Sequence, residues 1–82
     1  MMDLKQTIEM MNSSNYKERF KAEYHQTLIR YNKLIAMVNK YNHGQLEFKP
    51  TCPMSIYDMQ IRAMRDYLTV LEARAKIEGV EL

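Results

Sequence analysis

With 82 residues, of which 46% are hydrophobic, the chain is one small domain. Its single cysteine, Cys52, excludes an internal disulfide, and two isolated histidines, His25 and His43, give no metal-ligand spacing. A net charge of +2 argues against genomic nucleic acid as a partner, and no apolar run approaches the ~20 residues of a membrane span.

A chain this short buries only about 60% of the surface its unfolded form exposes. With disulfide and metal unavailable, self-association is the remaining way to enlarge the core. The lone free thiol fits a reducing cytoplasm. Residues Met1 to Met11 carry Asp3 and Glu9 and lack the apolar stretch of a signal peptide.

In chain order, Leu4, Ile8 and Met11 share one face of a helical period, which predicts a short amphipathic helix over residues 3–12. Asn12 to Asn15 form a polar break. Asn15 then suits the N-cap of a long helix, with Glu18 placed to reach back to the cap N–H. Phe20, Tyr24, Leu28, Tyr31, Ile35 and Val38 make a continuous apolar stripe to about Asn42. Gly44 has the place of a left-handed residue after the helix.

Pro50 and Pro53 keep residues 45–53 from being helical throughout. Leu46 and Phe48 alternate with polar neighbours, so this loop is expected extended with its apolar side inward. Pro53 suits the first turn of a second long helix, capped by Cys52 or, alternatively, by Ser55 with Asp58. That helix should reach about Glu78 and stop at Gly79. Its residues Tyr57, Ile61, Met64, Leu68, Leu71 and Ala75 form a heptad seam. Ile56, Ala63, Tyr67, Val70 and Ile77 form a second stripe beside it. Two stripes need two partners: the N-terminal helix for one, and a second copy of the chain for the other.

The predicted fold class is therefore all-α: an antiparallel two-helix hairpin with a short N-terminal helix, assembling into a helical homo-oligomer. Residues 1–14 are the N-terminal helix and linker. Residues 15–82 are the hairpin, with helices over about 15–42 and 53–78 and an extended loop over 44–52.

No catalytic constellation is visible. Cys52 at a helix N-terminus has no histidine placed to serve it, and the ten acidic residues are scattered among twelve basic ones. Anion binding is better supported. Lys49 supplies a cation, Thr51 a hydroxyl, and the following helix start supplies unpaired N–H groups. Between Glu23 and Glu47 the chain has no acidic residue, while Arg30, Lys33 and Lys40 lie in that span. Six tyrosines offer stacking faces; Tyr24 and Tyr31 lie on the core stripe, and Tyr16, near Arg19, is the freest.

Three runs carry a family resemblance: Tyr-Lys-Glu-Arg-Phe-Lys-Ala-Glu-Tyr at 16–24, Gly-Gln-Leu-Glu-Phe-Lys-Pro-Thr-Cys-Pro at 44–53, and Tyr-Leu-Thr-Val-Leu-Glu-Ala-Arg-Ala-Lys-Ile-Glu-Gly-Val-Glu-Leu at 67–82. Through them, from Tyr16 to Leu82, the chain resembles a family of short phage proteins known mainly from crAss-like phages and phages of Firmicutes. By size, helicity and phage origin it is also similar to the sponges of anti-CBASS type, which oligomerise and sequester cyclic oligonucleotide signals of bacterial immunity. The resemblance implies a non-enzymatic protein of the host cell cytoplasm, a dimer or tetramer that binds a cyclic dinucleotide such as cGAMP. It implies no cofactor, metal, membrane or genomic nucleic acid.

Chemistry alone, rather than a matched motif, nominates the ligand-binding residues: Tyr16, Arg19, Lys49 and Thr51, with Tyr67 or Arg74 from a neighbouring chain. The alternative function is an oligomeric helical module whose spare stripe docks on a host or virion protein. A DNA-binding accessory role is disfavoured by the small net charge and by the lack of a recognisable helix-turn-helix.

Overall fold

A computed structural model describes residues 2–82; Met1, the first residue of the predicted segment 1–14, lies outside the described residues. The described residues are all-α, with α1 over Leu4–Met11, α2 over Tyr16–Asn42 and α3 over Met54–Glu78.

Each helix end has a local cause. Asp3 and Gln6 close a capping box at the start of α1: the Gln6 N–H donates to Asp3 Oδ1 at 2.8 Å, and the Asp3 N–H donates to Gln6 Oε1 at 2.9 Å. Asn15 caps α2 by accepting the Lys17 N–H at 2.9 Å. Glu18 does not complete the box expected there, because the Asn15 N–H already donates to Ser13 Oγ at 3.0 Å. Pro53 is the N-cap of α3 rather than its first helical residue, with ψ at 147°, and no side chain bonds the open amides of the first turn. Neither Cys52 nor Ser55 is the cap.

Both long helices end on glycine. Gly44 has φ 66°, and the Gln45 N–H donates to Lys40 O at 2.8 Å. Gly79 has φ 71°, and the Val80 N–H donates to Ala75 O at 2.8 Å. Both are six-to-one closures in which a left-handed residue satisfies the last carbonyls. The second also throws Val80 back over the helix, where it joins Phe20, Leu71 and Ala75 in a buried cluster, with Tyr24 packed against it.

α2 and α3 run antiparallel. As α2 advances from Tyr16 to Tyr24, its hydrogen-bonded partner on α3 recedes from Glu78 to Glu72. The α3 seam faces α2: Leu68, Leu71 and Ala75 are buried, and Tyr57, Ile61 and Met64 are half-buried. The second stripe is bare, with Ile56, Ala63, Tyr67, Val70 and Ile77 all exposed.

The N-terminal helix does not cover that stripe. It folds back on α2 and makes no packing contact with α3. Its inward face also differs from the expected one. Thr7 is fully buried and Leu4 and Met10 are half-buried, whereas Ile8 is 58% exposed and Met11 is exposed. Thr7 can be buried because its hydroxyl donates to Leu4 O at 2.6 Å. Ala22, fully buried on α2, leaves room for close approach of another helix. His25, half-buried on the same face of α2, has its Nδ1 buried without a hydrogen-bond partner among the described residues. That burial, with the Lys21 charge nearby, holds His25 below the usual imidazole value.

Leu71 is 1% exposed at the centre of the buried cluster. Leu71→Ala is expected to lower unfolding free energy by roughly 2–5 kcal/mol, measured by chemical denaturation. A loss below about 1 kcal/mol would place the stabilising core elsewhere.

Candidate functional site

The hairpin carries its polar side chains in two groups. At the open end, the first turns of α2 meet the last turns of α3. Here the Tyr16 hydroxyl donates to Glu78 Oε1. Arg74 grips the same carboxylate with its fork, Nε to Oε2 at 2.7 Å and Nη2 to Oε1 at 3.3 Å. The Arg74 guanidinium also lies 4.8 Å from the centre of the Phe20 ring, so its carbon stem and charge roof the buried cluster. Lys17 Nζ donates to Gly79 O at 3.1 Å, a cation at the negative end of α3. Arg19 Nη1 donates to Ser13 O at 2.8 Å and ties down the link between α1 and α2.

These contacts set the charges. Arg74 first, and Tyr16 second, hold the Glu78 carboxyl below its ordinary range. The same hydrogen bond raises Tyr16, and Glu78 raises Arg74. Both Tyr16 and Arg74 are thus engaged by a carboxylate of their own chain. Arg74 is exposed and Glu78 half-buried, and ion pairs at a surface are weak because water and salt screen them. An incoming anion would have to outcompete only a weak partner.

About two helical turns deeper, the Tyr24 hydroxyl donates to Glu72 Oε2 at 2.6 Å. That hydrogen bond, with partial burial, pushes Tyr24 up to about 12. Tyr24, Glu72, Lys76, Val80, Glu81 and Leu82 line an open groove of about 630 Å³. Two carboxylates against one ammonium make the groove a poor receptor for phosphate.

The second group lies at the loop end, where Lys49 and Thr51 are exposed. The molecule is 43 Å long, and α2 alone spans about 40 Å, so the two groups sit at opposite ends of the hairpin. Within one chain, Tyr16, Arg19 and Arg74 come together, while Lys49 and Thr51 stand apart from them. Tyr67, 42% exposed, lies between the ends on the bare stripe of α3. Arg74 was expected from a neighbouring chain, but it stands beside Tyr16 in the same chain, because the antiparallel register brings the end of α3 to the start of α2.

Sequence reasoning missed Glu78 and Glu72, the partners of Tyr16 and Tyr24. The expected antiparallel hairpin brings the start of α2 near the end of α3, but a loop as long as residues 44–53 does not fix which residues pair across it.

The fold defines a small all-α hairpin protein with an engaged polar cluster at one end and free cations at the other. Among the described residues no group of His, Cys, Asp and Glu is placed to hold a metal ion, and no helix is long and apolar enough to cross a membrane. A family model described as Sequestin matches residues 14–77, which take in α2, the loop and nearly all of α3. The chain belongs to the Sequestin family, whose name is that of a sequestering protein. No curated protein and no solved structure matches the chain.

The Tyr24 contact has a pH consequence. Its folded value near 12 lies above the ordinary 10.0, so its stabilising effect is complete below pH 10 and fades as pH rises toward 12. In Glu72→Gln, ultraviolet titration should show Tyr24 ionising nearer its ordinary value, with less stability lost over that interval. An unchanged titration would show that burial, rather than Glu72, holds the phenol.

Proposed function

We propose that this protein sequesters a small nucleotide signal of the cyclic-dinucleotide class and does not cleave it. It would act as a phage immune-evasion sponge against CBASS-type defence in the host cell cytoplasm. The observation that carries this reading is the Sequestin match over residues 14–77. A sponge needs cations for phosphates and flat faces for bases, held in place before the ligand arrives. The chain has both kinds of group.

The exposed second stripe of α3 supports the reading. The bare stripe of α3 includes Val70, 54% exposed, and Ile77, 84% exposed. A second copy is the occupant that also addresses the separation of the polar groups. In a two-fold antiparallel pairing of α3 helices, the loop end of one chain lies against the open end of the other. Lys49 and Thr51 of one copy then approach Tyr16, Arg19 and Arg74 of its partner, with Tyr67 near the centre. The same stripe favours a second reading, an interaction module docking on a host or virion protein.

Two measurements test these readings. Isothermal titration against cyclic dinucleotides, cyclic trinucleotides and cyclic nucleotides closed through a pyrophosphate should give heat with a cyclic dinucleotide, which should be recovered intact. Binding of only a pyrophosphate-closed ligand would keep sequestration and overturn the dinucleotide class; silence throughout would favour the interaction module. Separately, Val70→Glu should reduce the native mass to that of a single chain. An unchanged mass, or a monomeric wild-type protein, would remove the stripe from the assembly.

A further inference from the structure

Phe48 breaks the pattern expected of its loop. Leu46 is half-buried and anchors the segment, but the chain bends at residues 47–48 and leaves the Phe48 ring 60% exposed. Three shallow hollows meet around this ring. One runs to Lys33 and Lys40 on α2, the second to Tyr41 and Lys49, and the third back to Lys40. Lys33 and Lys40 lie two helical turns apart on one face of α2, about 10 Å along the axis. Lys49 follows Phe48 directly in the chain. A flat apolar face is therefore framed by three ammonium groups.

The surrounding charge is one-sided. Glu47 is the single carboxylate lining the hollows. The one ion pair among the described residues is Arg74–Glu78, at the far end of the hairpin, so none of these three lysines is neutralised by a carboxylate. Such a patch is poorly made for a protein partner, because interface cores are depleted in lysine. It suits a ligand that is aromatic and anionic in one molecule. A base stacks on an exposed ring whatever its identity, and lysine meets phosphate as a mobile point charge.

We infer that Phe48, framed by Lys33, Lys40 and Lys49, is the stacking platform of a nucleotide subsite. The base lies on the Phe48 ring and the phosphates reach the ammonium groups on either side. This deepens the sequestration reading and rests on it for the identity of the nucleotide. Lys49 lines one of the hollows of this platform, and Thr51 lines none of them.

The test is a resonance-by-resonance titration of the isotope-labelled full chain with cyclic di-AMP, cyclic GMP–AMP and, separately, ADP. Shifts should concentrate on residues 33–41 and 46–49. Phe48→Ala should weaken binding by roughly 5–150-fold, the range for loss of one stacked base, and Phe48→Tyr should restore it. Lys33→Gln with Lys40→Gln should weaken binding and flatten its salt dependence. Circular dichroism of each variant should match the parent chain.

The outcomes separate the two claims. Cyclic dinucleotide shifts confined to Tyr16, Tyr67 and Arg74 would overturn the platform and leave sequestration standing. ADP shifts at Phe48 with no cyclic dinucleotide binding would keep the platform and overturn the proposed ligand. Absence of binding by all three nucleotides would overturn the platform and the cyclic-dinucleotide class. Loss of native mass in Phe48→Ala would overturn the platform and assign Phe48 to a protein interface.

Discussion

Val80 reaches Phe20, Leu71 and Ala75 because Gly79 turns the chain through a left-handed residue. That closure holds the open end of the hairpin, and much else follows from it. It brings the last turn of α3 against the first turn of α2, so Glu78 meets Tyr16 and Arg74. It also gives Arg74 a ring to lie over, since Phe20 is packed beneath it. A β-carbon at Gly79 would meet no hard obstacle; its nearest neighbour is Lys17 Nζ at 3.8 Å. The requirement for glycine is conformational rather than one of space.

The same closure divides the molecule's charges. At the open end three cations have structural partners: Lys17 on a helix carbonyl, Arg19 on Ser13 O and Arg74 on Glu78. At the loop end the lysines have no carboxylate partner. The long stretch without an acid between Glu23 and Glu47 ensures this, because the part of α2 beside the loop carries no internal counter-charge. The end that is stapled shut thus engages three of its cations internally, and the end that turns is electrostatically open.

Between the ends, α3 offers more apolar surface than two helices of one chain can cover. α2 takes the seam, and α1 spends its own small inward face on α2 instead. Ala22 on α2 and Thr7 on α1 are both fully buried, and small side chains permit the close approach that a short helix needs to dock. A helix this short docks on the helix that follows it, because a link of a few residues cannot carry it far.

The sequence by itself determined the helical class, the two glycine stops and the separation of α3 into a seam and a second stripe. Each depends on local rules: side-chain period, left-handed backbone and capping chemistry. The polar face chosen by α1 escaped those rules. Thr7 is buried by bonding its own turn, so it behaves as an apolar residue that composition counts as polar. The site was legible as residue types and not as places. Tyr16 and Arg74 are far apart in the chain and meet only through Glu78, and Tyr16, Arg19, Lys49 and Thr51, read together from their chemistry, divide between two ends of a 43 Å rod. Only the tertiary structure decided which cations were neutralised and which were left free, because charge pairing depends on the register of one helix against another, and register is a non-local property.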